Sequence, residues 1–134
     1  MNKILVDSNV ILDIVTQDPA WYEWSATQLE TLAEDHAFVI NPIIYSEISI
    51  GFTRIEELDE ALPVEFFRRE PLPWEAGFLA GKCFLKYSRS GGARRSPLPD
   101  FYIGAHAAIL DIPLITRNGQ RYQNYFPKLK LIQP

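Results

Sequence analysis

The stretch Lys3-Ile4-Leu5-Val6-Asp7-Ser8-Asn9-Val10-Ile11-Leu12-Asp13 constrains this chain more than any other. Ile4, Leu5 and Val6 form a short unbroken apolar run, the pattern of a parallel strand buried on both faces. The run stops at Asp7. Ser8 and Asn9 favour a helix N-terminus, and Val10, Ile11, Ile14 and Val15 continue with helical spacing. Asp7 therefore sits where a buried strand hands over to a helix. Open α/β sheets bind their ligands outside the carboxyl ends of the strands, so a carboxylate here is placed for chemistry. The plainer alternative is that Asp7 only caps the helix.

The rest of the chain must supply partners for that strand. Ala37 to Ile40 is a second short apolar run, followed by Asn41-Pro42, a cap and a first-turn proline. A helix is expected from Ile43 to Phe52. Asp18-Pro19 opens an earlier helix that runs toward Asp35, and an acidic helix is expected from Arg54 to Leu62. Pro63, Pro71 and Pro73 punctuate the next segment. A longer helix follows from Trp74 to Ser88, with Ala76, Phe78, Leu79, Cys83, Phe84 and Leu85 among its apolar positions. Ser90 to Pro99 reads as a loop. Asp100 opens an apolar helix to about Leu110. Pro113 to Thr116 and Lys128 to Ile132 read as two further strands. Strands alternating with helices require a parallel-type sheet covered on both faces. At 134 residues this is one domain with room for a real core.

Three carboxylates stand out. Glu47 shares a helical face with Ile43, Ile44, Ile48 and Gly51, and a glutamate on an apolar stripe must be paired, protonated or metal-bound; the plainer alternative is a glutamate at the stripe's edge that reaches water or pairs with one arginine. Asp100 follows Leu98-Pro99, where an N-cap is the simple reading. The helix behind it is small and apolar (Gly104, Ala105, Ala107, Ala108), suited to close packing with its N-terminus toward the Asp7 edge. Leu114-Ile115-Thr116-Arg117-Asn118 is a strand that ends in oxygen-bearing side chains, Thr116 and Asn118. Carboxylates converging without basic neighbours repel, and a hard divalent cation makes such a cluster tolerable. Oxygen-only ligation suits Mg²⁺ or Mn²⁺. Asp13 falls within the first helix, where a solvated or capping role is expected.

Composition excludes several classes. No apolar run approaches the roughly 18 residues of a membrane span, and no signal-peptide pattern precedes the first strand. The lone Cys83 rules out an internal disulfide and a thiolate zinc site, and a reducing cytoplasm is the expected compartment. His36 and His106 lack metal-ligand spacing and read as structural. The tryptophans read as core or interface. No Ser-His-Asp order, P-loop or G-x-G-x-x-G is present, and Gly91-Gly92 is too weak for a phosphate loop. The net charge of −4 hides an asymmetry: residues 1–53 carry −7, residues 54–81 carry −4, and residues 82–134 carry +7. A basic last third is compatible with a polyanionic partner and equally with an ordinary solvated surface.

Four pieces together resemble the PIN domain, and most closely the VapC-type toxin ribonucleases. They are Leu5 to Asp13, Asn41-Pro42-Ile43-Ile44-Tyr45-Ser46-Glu47, Leu98-Pro99-Asp100-Phe101-Tyr102-Ile103-Gly104-Ala105-His106-Ala107, and Leu114 to Asn118. The resemblance spans the chain, residues 1–134, as one PIN-like domain. It implies a three-layer α/β sandwich with a mixed, mainly parallel central sheet flanked by helices. It implies that Asp7, Glu47 and Asp100 are the catalytic, metal-binding carboxylates, holding one or two Mg²⁺ or Mn²⁺ ions. Asn118 stands where the family often has a fourth aspartate. Ser8 and Thr116 fall in supporting positions. The resemblance further implies RNA hydrolysis, a homodimer, and a cognate antitoxin that inserts a basic side chain into the acidic pocket.

The leading expectation is therefore a metal-dependent endoribonuclease acting in the cytoplasm, with Arg94, Arg95 and Arg117 on the RNA backbone. A haloacid-dehalogenase-like phosphatase also starts from a strand-end aspartate, but needs a second one where this chain has Asn9. A receiver-type phosphoacceptor needs an acidic pair and a strand-end lysine, and the segment from Thr116 reads Thr-Arg-Asn. A PIN-like RNA-binding protein without cleavage activity differs from the leading reading only by assay.

Overall fold

A computed structural model describes residues 2–94 and 98–134. The expected apolar run becomes β1 (Asn2–Val6), in which Ile4, Leu5 and Val6 are wholly buried. It leads through Asp7 into α1 (Ser8–Val15). There follow α2 (Tyr22–Leu32), β2 (His36–Ile40), α3 (Pro42–Ser49), α4 (Ile55–Ala61) and β3 (Phe67–Arg69). The second half comprises α5 (Trp74–Arg89), α6 (Pro99–Leu110), β4 (Leu114–Ile115), α7 (Gln120–Tyr125) and β5 (Leu131–Ile132).

The strands form one sheet in the order β3-β2-β1-β4-β5, and every pairing is parallel, not mixed. The chain steps from β1 to β2 and β3 on one side, then crosses to β4 and β5 on the other. The strand order thus reverses direction between β1 and β4. That reversal opens a crevice at the carboxyl ends of these two strands. In register, Leu5 faces Leu114 and Val6 faces Ile115, so Asp7 and Thr116 emerge side by side. The Asp7 amide donates to the Ile115 carbonyl at 3.0 Å, extending the ladder to the point of emergence.

Helices cover both faces. α1 packs on α2 and α3, while α6 packs on α5 and α7. Right-handed crossovers put the two groups on opposite sides of the sheet. α3 also touches α6, which brings together the helices that carry Glu47 and Asp100. Gly104 permits the close approach of α6: a Cβ there would lie 2.4 Å from the Phe126 ring. Asn41 caps α3 as expected, its side-chain oxygen accepting from the Ile44 amide at 2.9 Å.

Several expectations are corrected. Asp18 binds the Ala20 and Trp21 amides and closes a turn, and α2 begins only at Tyr22. Leu98, not Asp100, is the N-cap of α6; Pro99 and Asp100 are already helical. Two elements had no expectation, β3 and α7. β3 is a three-residue edge strand whose Arg68 and Arg69 are exposed, and it lies between prolines that read as loop. α7 buries only Tyr122. Of the apolar positions on α5, Ala76 and Cys83 are buried, whereas Phe78 and Leu85 are 71% and 41% exposed, and Trp74 is 93% exposed. Among the described residues no helix is long and apolar enough to cross a membrane.

Candidate active site

The crevice between β1 and β4 is built around the carboxylate of Asp7, which is only 4% exposed. Its Oδ1 accepts from the Ser8 amide at 2.8 Å, the helix-start role expected of a cap. Its Oδ2 accepts from two hydroxyls, Thr116 Oγ1 at 2.8 Å and Tyr122 OH at 2.9 Å. Three donors hold the carboxylate in one orientation, and a buried carboxylate needs such donors. The Ser8 hydroxyl donates to Glu47 Oε1 at 2.8 Å. Tyr122 OH also lies 3.4 Å from Asp100 Oδ1. Ser8 and Tyr122 therefore link the three carboxylates picked out from sequence, one from each of three chain segments.

Burial shifts all three acids the same way, upward. Burial raises the Asp7 carboxyl to about 6, and the charges of Asp100 and Glu47 push the same way against the Thr116 and Tyr122 hydrogen bonds. Burial also raises Glu47, with the Asp100 charge adding to it and the Ser8 bond opposing. Asp100 is raised by burial, opposed by Arg121 and the Tyr122 hydroxyl. Burial and the surrounding carboxylates hold the Tyr122 phenol well above its usual range, so it remains a donor.

The donor set is all oxygen, which suits a hard cation. Among the described residues no three acidic, histidine or cysteine side chains close on one point tightly enough to hold an ion alone. An ion here would complete its shell with water, the habit of Mg²⁺.

Thr116 is wholly buried, and its hydroxyl is spent inside the site: it donates to Asp7 and accepts from Asn9 Nδ2 and the Asn118 amide, each at 3.2 Å. The Asn118 side chain is exposed and lines a polar cleft of about 410 Å³ together with Asp100 and Arg121.

Arg117 has a partner inside the chain. Its Nε lies 2.9 Å and 3.1 Å from the two oxygens of Asp13, and its guanidinium sits 5.6 Å from the centroid of the Trp21 ring. Asp13 is correspondingly 2% exposed, with Ser25 Oγ donating to it at 2.9 Å, and is not the solvated residue expected. Arg94 is exposed at the end of the described loop, and Arg95 lies outside the described residues. His106 is structural as expected, buried with its Nδ1 2.9 Å from Asn41 Nδ2. The residue that sequence reasoning missed is Tyr122. It lies in a polar, six-residue helix with no apolar period to announce it.

The fold and site can be set beside known proteins. No curated protein sequence matches this chain. Among solved structures, VapBC2 from Rickettsia felis, bound to a DNA fragment from their promoter, matches at a TM-score of 0.74 with 19% identity over 98% of both chains. VapBC-1 from nontypeable Haemophilus influenzae matches at 0.73 with 21% identity, over 98% of this chain and 97% of that one. FitAcB from Neisseria gonorrhoeae matches at 0.70 with 20% identity over 96% of each. At such identities the likeness is one of fold. The family model for the PIN domain matches residues 4–126, which hold Asp7, Glu47 and Asp100, β2, β3 and β4 in full and β1 from Ile4. The chain belongs to the PIN domain family.

Proposed function

We propose that this protein is a Mg²⁺- or Mn²⁺-dependent endoribonuclease, the toxin of a toxin–antitoxin pair. The observation that carries the reading is the linkage of Asp7, Glu47 and Asp100 at the reversal point of the sheet, through the Ser8 amide and hydroxyl and the Tyr122 hydroxyl. Asp7 would hold the ion directly, and Glu47 and Asp100 would complete the shell, partly through water. Bound there, the ion would supply a Lewis acid for the phosphodiester and a hydroxide from water. Thr116 and Tyr122 keep Asp7 in one orientation, and Ser8 does the same for Glu47. Arg94 and Arg95, close to Asp100 in sequence, would meet the RNA backbone.

The fold neighbours from Rickettsia felis and Haemophilus influenzae are VapBC proteins, which supports an antitoxin partner. That partner and a second copy of the chain need apolar surface, and Trp74, Phe78 and Leu85 on α5 present it. A single-stranded RNA cut by the purified protein tests the reading. Cleavage should require Mg²⁺ or Mn²⁺, stop in excess EDTA, and be lost in Glu47→Gln and Asp100→Asn at unchanged melting temperature or above. Activity surviving EDTA would mean a metal-free ribonuclease. RNA bound but never cut would mean an RNA-binding PIN protein without cleavage activity.

Asn118 offers a separate test. Its amide can ligate but adds no charge. In Asn118→Asp a fourth carboxylate would join Asp100 at the cleft. We expect tighter Mn²⁺ binding by calorimetric titration and a less stable metal-free protein, because like charges crowd. Equal affinity and stoichiometry would remove residue 118 from the ion site.

A further inference from the structure

The proposed nuclease site presents a difficulty: three carboxylates repel the polyanion they are meant to cut. Arg117 does not relieve it, being held by Asp13 and Trp21. Next to the site, however, lies the polar cleft that shares Asp100 with it. Its walls include Asn118, Arg121, Asn124 and Tyr125. Its volume of about 410 Å³ is within the range of small-ligand sites, roughly 300–1,000 Å³.

Resting on the nuclease reading, we propose that this cleft is the subsite for the nucleotide next to the scissile bond of a single-stranded RNA. Arg121 takes its phosphate and Tyr125 takes its base. Arg121 Nη1 is 3.5 Å from Asp100 Oδ2, at the edge of an ion pair, and both side chains are partly exposed. A pair so long and so wet holds the guanidinium weakly and leaves its planar fork available to a phosphate. One turn further along α7, Tyr125 stands on the same face as Arg121. Its ring is anchored edge-on against Phe101, with centroids 4.9 Å apart and planes at 63°. The ammonium of Lys86 lies 5.8 Å from the Tyr125 centroid. A base can replace that cation on the ring, and Lys86 then adds a second positive charge to the strand. Tyr87 also borders the cleft, but its ring is already packed by Phe84, Phe101 and Gly92. The side-chain amides of Asn118 and Asn124 offer donors and acceptors to base edges or to the ribose hydroxyl. The arrangement is that of single-strand binders generally, a cation for the backbone and an aromatic face for the base.

The test uses a labelled single-stranded oligoribonucleotide, with binding followed by fluorescence anisotropy across salt concentrations. The Asp7→Asn background keeps the strand intact. Arg121→Gln should weaken binding roughly tenfold. It should also lower the slope of log affinity against log salt by about 0.7, the value for one lost single-strand phosphate contact. Tyr125→Leu should cost at least roughly fivefold, and Tyr125→Phe, which keeps the ring, should bind as before. Thermal melts accompany each variant, and Mn²⁺ titrations are made on the same substitutions with Asp7 intact. Arg121→Gln with unchanged RNA affinity and slope would overturn the subsite, and tighter Mn²⁺ binding beside it would reduce Arg121 to a counter-charge for Asp100. If the wild-type chain still cleaves in that case, the nuclease reading survives the failure. A wild-type chain that neither binds nor cuts RNA removes both.

Discussion

Asp7→Asn is expected to lower RNA cleavage by roughly a thousandfold or more while making the metal-free protein more stable. A bound cation contributes several kcal/mol to such a reaction, and each 1.36 kcal/mol is about tenfold in rate. Asn is isosteric, still accepts from the Ser8 amide and can donate to the Tyr122 oxygen, so the local packing persists, although the Thr116 hydroxyl, which already accepts from Asn9 and the Asn118 backbone N–H, loses its acceptor. The stability gain follows from the Asp7 carboxyl standing at about 6 in the fold against 3.8 in the open chain. A raised folded value favours the protonated fold. That contribution is complete below pH 3.8 and is lost as pH rises through about 6. At neutral pH the ionised carboxylate then costs the metal-free fold up to about 3 kcal/mol. In EDTA the wild-type protein should therefore lose stability between pH 4 and pH 7 relative to Asp7→Asn, and saturating Mn²⁺ should reverse the order. A variant that cuts RNA normally, or melts below wild type in EDTA at pH 7, would place Asp7 outside the site.

Arg117→Ala should produce the largest loss of stability of any single change near the site, about 3–5 kcal/mol. Asp13 is 2% exposed and depends on Arg117 Nε and Ser25 Oγ. Removing the guanidinium leaves a buried charge with one hydroxyl, and also strips the cation from the Trp21 ring. For a chain of this length the melting temperature should fall by roughly 10–15 °C. Replacing both partners, Asp13→Leu with Arg117→Leu, should recover most of the loss, because the penalty belongs to the unpaired carboxylate. The salt dependence of RNA binding should not change in Arg117→Ala. A melting temperature close to wild type, together with a shallower slope, would return Arg117 to the RNA backbone.

The two residues differ in how far they could be read from sequence. Asp7 was legible because its signal is local: an apolar triplet ends, a polar residue follows, and helical spacing begins. The same holds for Asn41-Pro42 and for Glu47 on its apolar stripe, which indeed sits half-buried against Ser8. Burial and periodicity are imposed residue by residue, so short windows carry them. The exchange of cap between Leu98 and Asp100 is a shift of two positions, the size of error that helix ends generally allow.

Other features had no local signal. Tyr122 reaches Asp7 across 115 positions, and Arg117 reaches Asp13 across 104. Neither spacing repeats, and neither side chain stands out in its own segment. β3 is a strand only because β2 offers it an edge, with Phe67 placed beside Phe38. The exposure of Trp74 and Phe78 depends on which face of α5 meets α6. By itself the sequence determined that a buried parallel strand ends in a carboxylate, and that two further acids lie on segments able to approach it. The tertiary structure decided which groups hold those acids: a tyrosine phenol and a threonine hydroxyl on Asp7, a serine on Glu47, and an arginine beside Asp100. A hydrogen bond extends about 3 Å and has a direction. Its partner is therefore chosen only when the whole sheet has closed and brought β4 and α7 to the end of β1.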